Sequence, residues 1–111
     1  LATSSAASDV YKRQVLDEPF AALDAFTREE LWCVLRDLWI DHKFTTLLVT
    51  HDLREAAFLA DKIFVMSARP GKITNVHNVN FKHKRDLKIT YSEKFVKLTQ
   101  NLRKEISNNR S

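Results

Sequence analysis

Residues 15–19 read VLDEP and residues 46–52 read TLLVTHD, and a helical segment separates these two short apolar runs. Within residues 27–42, apolar side chains recur from Leu31 onward at the i, i+3, i+4, i+7 spacing of one helix face. A strand, a helix and a second strand form a βαβ unit, in which the two strands are parallel. We therefore predict an α/β fold with a partial parallel sheet and flanking helices.

The start of the first helix is marked by a capping signal. Thr27 and Glu30 have the T-x-x-E spacing of a capping box, which predicts that the helix begins at Thr27.

Acidic side chains and a histidine lie where the two strands end. Asp17 and Glu18 follow the first apolar run, and His51 follows the second. The carboxyl ends of parallel strands share one edge of the sheet, and open α/β sheets bind ligands at that edge. Two adjacent carboxylates repel each other unless a cation offsets the charge, and Mg²⁺ needs only one or two protein carboxylates besides water and phosphate.

The same residues also have a purely structural interpretation. Asp17, Glu18 and Pro19 can form a polar turn after a strand, and His51 can be a hydrogen-bonded histidine at a strand end. Residue types alone leave both interpretations open.

Four segments carry a family resemblance, in order and with normal spacing. LDEPFAALD at residues 16–24 resembles the Walker B segment and D-loop of ABC-transporter ATPases. VTHD at residues 49–52, with Glu-Ala at residues 55–56, resembles their H-loop and the helix after it, and residues 59–66 resemble the next strand. SARPGKI at residues 67–73 is similar to a turn of the importer ATPases for nitrate, sulfonates, taurine and thiamine precursors. The resemblance covers residues 15–76 and extends more loosely to the C-terminus.

The resemblance implies a role for each matched residue. Asp17 would bind the Mg²⁺ of Mg-ATP through water, and Glu18 would be the general base for the attacking water. His51 would contact the γ-phosphate as a second catalytic residue. Asp24, with the two residues before it, would face the opposite subunit across bound ATP. The implied cofactors are ATP and Mg²⁺.

The resemblance also implies a setting for the intact protein. It would be the ATP-hydrolysing subunit of an importer of small anionic or zwitterionic nutrients such as nitrate, sulfonates or taurine. Its partners would be a second ATPase subunit, transmembrane permease subunits and, indirectly, a periplasmic or extracellular solute-binding protein, with no nucleic acid. It would lie in the cytoplasm, on the inner face of the cell membrane.

Three motifs of that family, among them the Q-loop, are not found in these 111 residues. A P-loop of the form G-x-x-x-x-G-K-[ST] needs two glycines, and the sequence contains one, Gly71. The glycine-rich signature motif is missing as well. We therefore expect residues 15–111 to be the C-terminal half of a P-loop NTPase of the ABC type, inactive alone, with a core at 15–76 and a basic extension at 77–111.

Residues 1–14 do not fit the family pattern. Family members run four or five apolar residues into the aspartate, whereas Lys12, Arg13 and Gln14 interrupt that run here. We expect this leader to be non-native or artefactual and exclude it from the fold prediction. A divergent natural N-terminus is the alternative.

Charge is distributed unevenly along the chain. Residues 15–70 carry ten acidic and six Lys or Arg residues, whereas residues 77–111 carry three and nine. The run Lys-His-Lys-Arg at residues 82–85 permits a nucleic-acid interpretation, with a solvated basic tail as the alternative. Apart from this run, two alternatives to the importer subunit stay open for the whole chain: an ABC-type ATPase acting on nucleic acid or ribosomes, and an inactive remnant.

The rest of the chain predicts short elements. We expect a helix at residues 53–60 capped by Asp52, a strand at 62–66, a turn at 69–72, a strand at 73–81 and a final helix capped by Ser92. An apolar stripe on that final helix should pack on the sheet; it comprises Phe95, Leu98, Leu102 and Ile106. His42, His77 and His83 show no ligand spacing and are expected at the surface.

Overall fold

The computed structural model describes residues 13–68, 71–81 and 85–109. Within them the chain forms four strands, three α-helices and one 3₁₀ helix. In chain order these are β1 Arg13–Asp17, α1 Ala25–His42, β2 Thr45–Val49, α2 Leu53–Leu59, β3 Lys62–Met66, β4 Ile73–Asn78, the 3₁₀ helix Leu87–Tyr91 and α3 Glu93–Asn109.

The predicted βαβ unit is confirmed. β1 and β2 are hydrogen-bonded neighbours in a parallel pair, with Asp17 opposite Val49. α1 connects them. The carboxyl ends of both strands therefore lie at one edge, as the sequence predicted, and the fold is α/β.

β1 begins earlier than the family pattern suggested. Arg13 and Gln14 belong to the strand and pair with Thr45 and Thr46 of β2, although the sequence analysis placed both residues in the excluded leader. Backbone hydrogen bonds carry this pairing, so the polar side chains do not prevent it. Residues 1–12 of that leader lie outside the described residues.

The capping box predicted at Thr27 is wrong. Asp24 is the N-cap of α1, and its side chain accepts hydrogen bonds from the Thr27 backbone N–H at 3.1 Å and from the Thr27 hydroxyl at 2.7 Å. α1 therefore begins at Ala25. Aspartate is a slightly better cap than threonine, and the Asp24 cap starts the helix two residues before the predicted start.

α2 begins where it was predicted. The Asp52 side chain accepts hydrogen bonds from the backbone N–H groups of Arg54 and Glu55, at 3.0 and 3.1 Å. The predicted strand at 62–66 is also confirmed, and its alternate residues Ile63 and Val65 are buried.

β4 pairs with β3 in an antiparallel hairpin and is shorter than predicted. It ends at Asn78, although the N–H of Val79 still donates to the Asp61 carbonyl at 2.8 Å in the same register, and the Val79 side chain is buried. Part of the turn predicted at 69–72 lies outside the described residues.

α3 packs its apolar stripe into the core, as predicted. Phe95 joins a cluster with Trp32 and Phe58, and Leu102 joins a second cluster with Ile63 and Val65. The Ser92 hydroxyl accepts a hydrogen bond from the Phe95 N–H at 3.2 Å, which agrees with its predicted role as a cap. Among the described residues, no helix has the length and apolarity of a membrane span.

One face of the parallel pair is open to solvent. Val15, Leu47 and Val49 are 63%, 56% and 46% exposed. Strand register places Val15 beside Leu47, so these side chains form one apolar patch, called the open sheet face below.

Candidate functional site

The site is centred on Glu18 and His51, at the ends of β1 and β2. The Oε2 atom of Glu18 lies 3.6 Å from the Nε2 atom of His51. The His51 side chain is 87% exposed and that of Glu18 is 38% exposed, so both are accessible to a ligand. The predicted common edge of the sheet thus brings together the two residues predicted to be catalytic.

Backbone geometry directs Glu18 out of the strand. Its φ angle is 46°, in the left-handed region that non-glycine residues rarely adopt. Its N–H still donates to the Val49 carbonyl at 2.7 Å, and its own carbonyl accepts from the Ala21 N–H at 3.2 Å. The second of these bonds closes a turn over Pro19. Together the two bonds hold Glu18 in a conformation that costs about 1–2 kcal/mol. The polar turn at residues 17–19, which was the structural alternative, is therefore present, and it also positions Glu18 in the candidate site.

Asp17 lies beside the site rather than inside it. It is the last residue of β1, pairs with Val49 and is exposed. No group of three or more His, Cys, Asp or Glu residues in the described part of the chain could hold a metal ion alone. An exposed strand-end carboxylate nevertheless fits Mg²⁺, which takes one or two protein ligands and completes its shell with water and phosphate.

Asp24 has a structural role in this chain. It caps α1, and the hydrogen bond from the Thr27 hydroxyl is the main reason that its pKa is lowered. It does not line the cavity beside Glu18 and His51. Its predicted role facing a second subunit stays a prediction.

An open cavity of about 310 Å³ adjoins Glu18 and His51. It is bounded by residues from the β1–α1 loop, α1, the β2–α2 loop and the start of α2. The lining residues are Glu18, Phe20, Ala21, Arg28, Thr50, His51, Asp52 and Glu55. The sequence analysis noted Asp52 as a helix cap and, with Glu55, as part of the H-loop resemblance, but it gave neither residue a role in the site, and it missed Arg28.

Glu55 is a buried acid in the cavity wall. It is 2% exposed, and its Oε1 atom accepts a hydrogen bond from the Trp32 indole N–H at 3.0 Å. Burial raises the pKa of the Glu55 carboxyl, partly offset by hydrogen bonds from Thr50 and Trp32. The position of Glu55 directly before the apolar run Ala56-Ala57-Phe58 was the available sequence signal for this burial.

The solvated basic tail predicted near residue 85 is wrong for Arg85. This residue is 4% exposed, and its guanidinium donates to the carbonyls of Phe58, Ala60 and Phe81 at 2.9, 2.8 and 3.1 Å. Burial lowers its pKa. Residues 82–84, including His83, lie outside the described residues.

The two other histidines predicted at the surface differ from each other. His42 is exposed at the end of α1. His77 is half-buried, and its Nε2 atom lies 2.8 Å from the Oε1 atom of Glu105 on α3.

Comparison with known proteins gives consistent matches over part of the chain. The aliphatic sulfonates import ATP-binding protein SsuB of Bacillus licheniformis is 54% identical over 59 residues, which are 53% of this chain and 23% of that protein. SsuB 1 of Pseudomonas syringae is 50% identical over 72 residues, 65% of this chain and 30% of that protein. The bicarbonate transport ATP-binding protein CmpD of Synechocystis is 47% identical over 73 residues, 65% of this chain and 26% of that protein.

The matched segment is homologous to the ATP-binding subunits of ABC importers. This confirms the resemblance drawn from the four motifs. The chain spans about a quarter of the length of these ABC importer relatives. No protein-family model matches the chain.

Proposed function

We propose that this chain is part of an ATP-hydrolysing subunit of an ABC importer, and that the subunit powers uptake of small anionic or zwitterionic nutrients such as sulfonates or nitrate. The observation that carries the proposal is the approach of Glu18 to His51 at 3.6 Å, at the ends of adjacent parallel strands. The relatives named for sulfonate and bicarbonate uptake support the importer class.

Glu18 is proposed as the general base. Its side chain is accessible, and the turn over Pro19 fixes its backbone. A carboxylate in this position can orient a water and accept its proton as the water attacks the terminal phosphate of ATP. The rate contribution expected of such a group is about 10²–10⁴-fold.

His51 is proposed to contact the terminal phosphate from the other strand end. The imidazole can donate a hydrogen bond to a phosphate oxygen while its neighbour Glu18 faces the water. Asp17 is proposed as the carboxylate that holds Mg²⁺ through water. When bound, Mg²⁺ neutralises charge on the phosphates.

The proposed assembly has two ATPase subunits, permease subunits in the membrane and, indirectly, a solute-binding protein. In it, Asp24 and the two residues before it face the second subunit, and the protein lies on the cytoplasmic face of the membrane. The nucleic-acid alternative gains no support, because Arg85 of the basic run is buried against backbone carbonyls.

A chimera tests the proposal directly. The 59 residues of this chain that match the B. licheniformis relative replace the corresponding segment of that protein, so that the host supplies the remaining three quarters. We expect the chimera to hydrolyse ATP, and Glu18→Gln to lower turnover by about 10²-fold or more without loss of ATP binding.

The matched control is Glu30→Gln, which removes an exposed carboxylate on α1 outside the cavity. It should leave turnover unchanged. Equal turnover of the chimera and its Glu18→Gln variant would overturn the assignment of the general base. A folded chimera with no ATP binding would overturn the proposed function.

A further inference from the structure

One arginine side chain joins two segments of the chain: the segment next to His51 and the loop before α1. Arg28 of α1 donates from Nη1 to Oδ2 of Asp52 at 2.9 Å and from Nη2 to the carbonyl of Leu23 at 2.8 Å. The side chains of Arg28 and Asp52 are 26% and 25% exposed, so the bridge is partly shielded from water.

Asp52 uses its two carboxylate oxygens for different partners. Oδ2 accepts from Arg28, whereas Oδ1 accepts from the first backbone N–H groups of α2. Its own N–H donates to the Thr50 hydroxyl at 3.0 Å. The residues on both sides of His51 are therefore held, whereas the His51 side chain is largely exposed.

The other end of the bridge is the loop that precedes α1. The Leu23 carbonyl belongs to the residue directly before Asp24, the N-cap of α1. If this loop is displaced, the Leu23 carbonyl moves with it. The planar guanidinium can pass that displacement to Asp52, which is the residue after His51 in the chain. A lysine could not make both contacts, because its single ammonium lacks the fork geometry of arginine.

We propose that Arg28 is a positioning residue that couples the loop at residues 22–24 to the placement of His51 over Glu18. Residues 22–24 are the proposed contact with a second subunit, and the coupling would signal that contact to His51. This use of the coupling rests on the proposed function. The coupling itself is a property of this chain and can be measured without ATP.

The test is a double-mutant cycle on the full 111-residue chain, followed by ¹⁵N NMR relaxation. Arg28→Lys breaks the bridge, and Ala22→Gly loosens the loop. We expect the order parameter of the His51 amide to fall from about 0.85 toward about 0.6 in Arg28→Lys. Ala22→Gly should loosen His51 in the parent and add nothing in the Arg28→Lys background.

Two further variants separate positioning from general stability. Asp52→Asn keeps an oxygen to cap α2 and removes the charge partner of Arg28, so it should reproduce the effect of Arg28→Lys. Arg36→Lys alters an arginine of the same helix that contacts Asp37 and the Arg85 carbonyl, and it should leave His51 unchanged. The indole signal of Trp32 reports that the core is retained.

Three results would overturn the proposal. These are an unchanged His51 order parameter in Arg28→Lys, additive effects of Arg28→Lys and Ala22→Gly, and loss of the fold in both Arg28→Lys and Asp52→Asn. The last result would show that the bridge is needed for folding and has no separable positioning role. A failed ATPase chimera with an intact NMR response would reject the proposed function and leave the coupling standing.

Discussion

Arg85 should be among the residues on which the stability of this chain depends most. Its guanidinium makes three hydrogen bonds of 2.8–3.1 Å to backbone carbonyls, two of them from the last turn and C-cap of α2. The shorter Arg85→Lys side chain keeps the charge but cannot reach all three carbonyls. Losing two bonds made by a charged group costs about 1.5–3 kcal/mol each, so we expect the free energy of unfolding to fall by about 3–6 kcal/mol.

Urea unfolding followed by circular dichroism measures this change. A domain of this size is commonly stable by only about 5–15 kcal/mol, so the midpoint should shift clearly. Arg103→Lys is the control, because Arg103 is exposed on α3 and its replacement should change stability by less than about 0.5 kcal/mol. If both variants unfold within about 0.5 kcal/mol of each other, the carbonyl contacts of Arg85 do not stabilise the fold.

Three other predictions concern single positions. Lys43 ends α1 with a φ of 51°, so Lys43→Gly should be about 1 kcal/mol more stable than Lys43→Ala in urea unfolding, and equal stability would contradict the left-handed cap. Because the folded pKa of Glu55 is raised, this group favours folding at low pH, and that contribution is lost as pH rises above about 4.3 through the folded pKa. Thermal melts should therefore show Glu55→Gln gaining stability relative to the parent as the pH is raised from about 4, and a constant difference would contradict the raised pKa. The purified 111-residue chain should hydrolyse ATP no faster than its Glu18→Gln variant, because the sequence contains one glycine and no P-loop motif, and a measurable excess of released phosphate would refute this.

The sequence predicted the βαβ unit and the meeting of Glu18 with His51 because both follow from local patterns and one topological rule. Apolar runs of strand length flank a helical repeat, and parallel strands then end on the same edge. The covering of the core by α3 was predictable for the same reason, since its stripe has helical spacing.

Competing local signals account for the error at the start of α1. Asp24 and Thr27 are both good N-cap residues three positions apart, and the T-x-x-E spacing of Thr27 with Glu30 favoured Thr27 although aspartate is the slightly stronger cap. The structure selects Asp24, whose carboxylate accepts from both the backbone and the hydroxyl of Thr27.

Contacts between distant residues account for what was missed. Arg85 and Phe58 are 27 positions apart, and Arg28 and Asp52 are 24 apart. No periodicity relates such pairs, and an arginine in a run of basic residues looks solvated until the fold places carbonyl groups around it. Glu55 was missed as a site residue because its burial depends on Trp32 of another helix.

The open sheet face has a practical consequence for work with this chain. Val15, Leu47 and Val49 are exposed in the native state, so they can associate between molecules without any unfolding. Solubility and thermodynamic stability are then separate properties here. Substitutions that strengthen the core leave the open sheet face unchanged. A charged residue in place of Leu47 would instead reduce association at the concentrations that NMR needs.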